Sequence, residues 1–253
     1  MKQVFSYGHL LKNLVIKDLK LKYRGSILGA LWSLLNPLIF IIVYTIVFKH
    51  IIRIQMENYG IFILAGILPW NFFSSAVSMS TKSIIDNGNL IKKVYFPREI
   101  LPIATILFNL SQCLLAFLVF LPVVFYMTGI HISILWLPYI LTLHTMFTLS
   151  VAFILSAITV FYRDIIHLTE VGLMLLFWGT PIIYPVSMVP KSLNFLINAN
   201  PLTPFITAYQ NVIYEKAEPC LAIHLKMWIL VSIILIVGYQ VFKHCNPKFA
   251  EEL

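Results

Sequence analysis

Six apolar runs separated by short polar islands organise the 253-residue chain. Ile27 to Phe48 is free of charge over 22 residues, and at about 1.5 Å per residue such a helix crosses the ~30 Å of hydrocarbon in a bilayer. Tyr59 to Thr81 is charge-free again and carries Pro69-Trp70, which predicts a kink. After Glu99 no Asp, Glu, Lys or Arg occurs for 63 residues. One helix does not run that far, and the patch Met127-Thr128-Gly129-Ile130-His131 divides the stretch in two. The expected spans are 27–48, 59–81, 104–127, 135–160, 166–184 and 221–242, with Lys226 and Lys243 snorkelling at the ends of the last. Ser192 to Tyr214 is also uncharged, but its prolines and asparagines would leave polar groups unpaired in lipid. We read 185–215 as two short re-entrant helices dipping from the outer face.

Residues 1–26 follow a different period. On a helical wheel Lys2, His9, Asn13, Lys17, Lys20 and Arg24 share one arc, opposite Val4, Tyr7, Leu10, Leu11, Leu14, Val15, Leu19 and Leu21, with Asp18 and Lys22 interrupting the apolar side. This pattern predicts an amphipathic helix in the cytoplasmic interface, its basic edge turned to anionic headgroups. The expected fold class is thus all-α and integral to the membrane: six transmembrane helices, an N-terminal interface helix and short re-entrant helices before the last span, forming a single transmembrane domain over 1–253.

Composition agrees, with 60% hydrophobic and only 11% charged residues, where soluble domains carry about a quarter charged. A net charge of +8 raises the question of nucleic acid, but the basic residues flank apolar runs instead of building a solvated face, so no nucleic-acid partner is expected. With both termini inside, 13 Lys and Arg lie on the cytoplasmic side and 5 outside, the asymmetry of a multi-pass protein of the cytoplasmic (inner) membrane. No cleavable signal is expected, because about 26 residues bearing polar and basic side chains precede the first apolar run and that run is too long for a signal core. Cys113, Cys220 and Cys245 show no metal or disulfide spacing.

One charged island stands out. Asn89 to Pro102 holds Lys92, Lys93, Arg98 and Glu99, and each Lys or Arg at a membrane centre costs roughly 2.5–3.5 kcal/mol, so the segment 82–103 lies outside the bilayer. Leu90, Ile91, Val94, Tyr95 and Phe96 interleave with the charges, which predicts a short helix running to Pro97, apolar on one side and basic on the other. Such a segment suits docking of a partner protein. Tyr162-Arg163-Asp164-Ile165 is a second, shorter charged turn.

Several chemistries are absent from the sequence. It has no phosphate-binding Gly-x-x-x-x-Gly-Lys-Ser/Thr loop, no HExxH and no Gly-x-Ser-x-Gly. The span centres lack Asp, Glu, Lys and Arg, which weakens an ion-coupled carrier. His131 and His144 lie thirteen apart, a spacing seen in membrane cytochromes, but no further histidines are suitably placed, and His144 reads as a packing residue. What remains is a passive membrane body with a docking element, driven only if a partner biases its states.

These features converge with an ordered set of motifs. Lys17-Asp18-Leu19-Lys20-Leu21-Lys22-Tyr23-Arg24-Gly25-Ser26, Leu28-Gly29 and Leu35-Asn36-Pro37 come first. Ala65-Gly66-Ile67-Leu68-Pro69-Trp70-Asn71-Phe72-Phe73, Phe96-Pro97-Arg98 and Tyr162-Arg163-Asp164-Ile165 follow. Thr180-Pro181-Ile182-Ile183-Tyr184-Pro185 and Asn200-Pro201-Leu202-Thr203-Pro204 complete the series. Over nearly the whole chain this resembles the membrane subunits of polysaccharide-exporting ABC transporters, which serve O-antigen, capsule and teichoic acid export. The resemblance implies a homodimeric channel for a lipid-linked polysaccharide, powered by two copies of a separate ATPase subunit. ATP and magnesium would sit on that partner, with no cofactor and no enzymatic activity on this chain. Lys92, Lys93, Tyr95, Phe96, Arg98 and Glu99 would couple to the ATPase, with Arg163 and Asp164 as a smaller second contact. Trp32, Tyr44, Trp70, Phe72, Phe73, Trp178 and Tyr184 are candidates to line the sugar pathway, and Lys20, Lys22 and Arg24 to receive a lipid pyrophosphate. A drug or lipid permease of the same fold, and a membrane enzyme acting on lipid-linked sugars, are the alternatives.

Overall fold

A computed structural model describes residues 7–26 and 56–253, with residues 32, 35, 39–40, 42–43 and 46–47 between them. The expected span 27–48 therefore lies largely outside the described residues. Among the described residues the secondary structure is helical, without strands. Its elements are α1 (Gly8–Tyr23), α2 (Tyr59–Asp86), α3 (Gly88–Lys93), α4 (Ile100–Thr128), α5 (Leu137–Phe161), α6 (Ile165–Gly179), α7 (Asn194–Ala199), α8 (Thr203–Ile213), α9 (Leu221–Cys245) and α10 (Phe249–Glu252).

Among the described residues, four helical stretches are long and apolar enough to cross a membrane: Tyr59–Lys93, Ile100–Thr128, Ile132–Phe161 and Leu221–Glu252. The break expected around Met127 to His131 falls at Gly129, whose φ of 78° ends α4 in a conformation that costs a side-chain-free residue nothing. Two boundaries differ from expectation. The helix expected from 166 to 184 stops at Gly179, because Pro181 lacks an N–H and holds Thr180 extended. The island helix expected to reach Pro97 stops at Lys93, with Val94 extended, since β-branched and aromatic residues followed by the pre-proline position disfavour another turn.

The centre is α2. Every residue from Tyr59 to Trp70 is buried, enclosed by α4, α5, α6 and α8. Gly66 lets α8 and the 180–185 segment come close: a Cβ there would lie 3.1 Å from Gln210 Nε2 and 3.2 Å from the Ile182 carbonyl oxygen. By contrast α9 buries only Met227, Val231, Gly238 and Phe242, one stripe facing α5, and leaves Leu225, Ile229, Ile233, Ile236 and Val237 exposed. In a bilayer that outer surface faces lipid, so helices associate through close packing at small residues. Gly238 is such a point, because a Cβ there would overlap the Ser150 carbonyl oxygen.

Several hydroxyls inside these helices are satisfied locally. Thr81, Thr148, Ser150 and Thr159 each donate to the carbonyl four residues back, which lets hydroxyls sit in apolar surroundings. A second, smaller core lies apart from the main one. It gathers Leu14 of α1, Ile84, Ile91, Phe96, Ile100, Leu101, Ala104, Phe153, Ala157, Val160, Phe242 and Phe249, and it underlies the charged island.

Candidate functional site

The island is a turn of helix, an extended strap and a fresh helix start. Asn87 carries the chain from α2 into α3 and receives Lys17 Nζ of α1 at 3.5 Å. Ile91 and Phe96 point inward and are 7% and 4% exposed, anchoring the segment on the second core. Lys92, Lys93, Val94 and Tyr95 point outward, with Tyr95 94% exposed. An exposed tyrosine flanked by two ammonium groups suits a protein interface, where aromatic anchors and charge complementarity act together.

Arg98 faces inward. Its Nη1 donates to the Asn246 carbonyl, and its guanidinium lies 5.9 Å from the centre of the Phe249 ring. Glu99 sits half-buried before α4, where a carboxylate complements the positive end of the helix dipole. A groove of about 410 Å³ runs between Tyr7, the Tyr95–Glu99 strap and Asn246-Pro247. Of the six island residues singled out in the sequence, Lys92, Lys93 and Tyr95 are available to a partner, and Phe96 and Arg98 hold the platform.

The second charged turn is exposed throughout, from Tyr162 through Arg163 to Asp164. The fold brings it to the same end of the molecule as the island, because Phe161 lies 6.4 Å from Phe249, the ring that Arg98 covers. The sequence resemblance assigns both segments to one partner; the residues that tie them together are not read from it. Phe249 and Asn246, which tie them together, were not among the expected residues; an Asn-Pro turn followed by a lone phenylalanine among charges was the only trace.

The pathway candidates separate into two groups. Trp70, Phe72 and Phe73 are buried within the chain. Phe72 and Phe73 pack on the His144 ring at centroid distances of 5.4 and 6.0 Å, and Trp70 packs on Phe177 at 5.5 Å. Phe205 and Tyr209 complete the box around His144, whose two ring nitrogens have no hydrogen-bond partner among the described residues. Trp178 is exposed, and its carbonyl accepts from the Tyr184 hydroxyl at 2.8 Å. Trp32 is also exposed, and Tyr44 lies outside the described residues.

The basic residues of α1 do not form one cluster. Lys20 and Arg24 line an outward groove with Asn13, Ile16, Lys17, Leu21 and Tyr23. Lys22 turns instead to α4, donating to Gln112 Oε1 at 3.0 Å beside the Tyr23 hydroxyl, which donates to the same oxygen at 2.6 Å. Desolvation lowers the Lys22 pKa, so its charge is held less firmly than that of a free lysine. Lys22, Asn71, Ser75, Asn109 and Gln112 border a cleft of about 250 Å³. Asp18 is shifted upward, chiefly by burial, against the opposing charge of Lys17 at 3.7 Å.

Toward the other end, side chains pin the proline-rich segment. Gln210 Nε2 donates to the Pro181 carbonyl at 2.9 Å, Asn200 Nδ2 donates to Gly179 and to Thr180 Oγ1, and Ser133 Oγ donates to Val212. Carbonyls left open by the prolines and at helix ends thus find donors inside the protein, as burial away from water requires.

Comparison with known proteins places these features in context. Residues 9–214 match the profile of a family described as ABC-2 type transporter. The O-antigen export system permease protein RfbA of Klebsiella pneumoniae is 34% identical over 262 residues, covering 100% of this chain and 99% of the relative. RfbA of Myxococcus xanthus is 32% identical over 261 residues, covering 100% and 98%. The polysialic acid transport protein KpsM of Escherichia coli is 23% identical over 243 residues, covering 91% of each.

Proposed function

Because the chain belongs to the ABC-2 type transporter family, we propose that it is the permease subunit of an exporter that carries a lipid-linked, O-antigen-like polysaccharide across the cytoplasmic membrane. The observation that carries the reading is the end-to-end similarity to an O-antigen export permease. The chain works as a transport body, and ATP and magnesium act on a separate ATPase that docks on Lys92, Lys93, Tyr95 and the Tyr162–Asp164 turn. The exposure of these residues, over a core that fixes their backbone, supports that assignment. The docking face is cytoplasmic, as the distribution of Lys and Arg favours, and both termini lie on that side of a six-span subunit. The proline-rich 185–215 segment closes the outer mouth.

Two copies form the channel. The support lies in α6, whose 15 residues extend about 22 Å, short of a bilayer's hydrocarbon. It buries only Thr169 and shows an apolar stripe of Leu168, Val171, Leu175 and Trp178. A second copy seated on that stripe encloses a pathway that neither copy encloses alone, and exposed Trp178 offers a ring face to sugars at its edge.

The test is a deletion strain carrying either the wild-type chain or a Lys92→Glu, Lys93→Glu, Tyr95→Ala variant. Expected results are loss of surface polysaccharide in the deletion strain with retention of polymer inside, restoration by wild type, and at least a tenfold lower yield of co-purified ATPase with the triple variant. Normal surface polysaccharide in the deletion strain would overturn the reading.

A further inference from the structure

The segment that follows α9 is packed more tightly than a connection of its length requires. After a 3-10 turn at Asn246–Lys248, α10 presents Phe249, which is fully buried. Its ring lies 5.4 Å from Phe242 of α9, 6.4 Å from Phe161 at the end of α5 and 5.9 Å from the Arg98 guanidinium. Arg98 also donates to the Asn246 carbonyl. About one turn further on, Leu253 covers Gly88 at the start of α3, its Cβ 3.7 Å from where a Cβ on Gly88 would sit. Eight residues therefore touch the island at Arg98 and Gly88, the end of α5 that leads into the second charged turn, and the last long helix.

We propose that residues 246–253 are a strut carrying displacement of the 88–99 segment into α9, with Arg98 and Phe249 as its positioning residues; this rests on the reading that a separate ATPase presses on that segment. Beyond the strut, α9 holds the main body through its buried stripe, against α5 and α8. A push on the island has a packed route to α9 through the buried Phe249 ring, and packed interiors transmit displacement because they have little compliance. Arg98 suits the joint, since a planar guanidinium stacks on a ring and donates a hydrogen bond at the same time, which a lysine cannot reproduce. Spatial contact alone does not establish coupling, so the test reads coupling and not fold.

The ATPase complex is purified with wild type, Phe249→Ala, Phe249→Leu and Arg98→Lys, and surface polysaccharide is measured in cells carrying the same variants. For Phe249→Ala and Arg98→Lys, export divided by ATP hydrolysed is expected to fall at least tenfold, with recovery to within threefold for Phe249→Leu, which refills the site. A ratio within twofold of wild type for Phe249→Ala overturns the strut. A second measurement decides the matter even if these variants assemble poorly. Gly88→Cys with Leu253→Cys, in a background with Cys220→Ser and Cys245→Ser, has the Cβ separation of a disulfide. Because strut and island move as one body, the oxidised pair is expected to hydrolyse ATP within twofold of its reduced form. A loss on oxidation that reductant reverses means the two part during the cycle, and overturns the proposal. Failure of the wild-type chain to bind an ATPase would instead remove the underlying reading.

Discussion

Single residues in this protein do jobs that their types do not announce. Arg98 carries a charge in a charged island and yet serves the interior, through Asn246 and Phe249. His144 is a titratable group fully enclosed by rings, with both nitrogens unpaired among the described residues. An unpaired buried polar group costs about 1–3 kcal/mol, so His144→Phe, which keeps the stacking on Phe73 and Phe205, is expected to raise or preserve thermal stability and leave export intact. Melting in detergent and surface polysaccharide are the readouts; lost export at full stability would give His144 a role beyond packing. Gly238 is the opposite case, a residue needed for what it lacks. Gly238→Ala forces a methyl onto the Ser150 carbonyl, and overpacking of this kind costs about 1–3 kcal/mol. The expected result is a melting temperature lower by several degrees, with the α5–α9 contact most affected.

Helices were legible from apolar runs, because a bilayer requires a charge-free stretch of fixed length and internally bonded backbone. Their ends were legible where a special residue imposed them, as Gly129 does. They were misjudged where propensity and apolarity disagree: Thr180 to Tyr184 is apolar enough to extend α6 but is governed by Pro181, and Val94 to Phe96 looked like a continued amphipathic turn but runs extended. Shortening α6 has a consequence at this scale. Its exposed stripe is the surface on which a second copy is proposed to sit, so Leu175→Cys, 65% exposed in the wild type, is expected to yield a covalent dimer under a short thiol-reactive crosslinker in membranes. Monomer alone at that position, with efficient crosslinking at α9 position Ile233, would move the subunit contact elsewhere.

The whole molecule divides its labour between two cores. The larger is built around α2 and holds the aromatic box; the smaller fastens α1, the island, the ends of α5 and α9 and residue 249 into one platform. That division explains why Tyr95 and Tyr162 can be exposed on well-fixed backbone. It also explains why three basic residues close together at the end of α1 face different surroundings: Lys22 meets Gln112 while Lys20 and Arg24 line an outer groove.

By itself the sequence determined the solvent of this protein, its helical class, the positions of its charged islands and, through the ordered motifs, its family. Each of these depends on local composition or spacing along the chain, which one-dimensional patterns carry in full. Only the tertiary structure decided which aromatic residues are core and which are surface, which island residues are exposed, and that residues 88, 98, 161, 249 and 253 meet. In a chain where lipid-facing and buried side chains are equally apolar, hydrophobicity does not distinguish inside from outside. Burial there is set by which helices approach one another, through small residues and a few long-range hydrogen bonds, and that information exists only once the chain is folded.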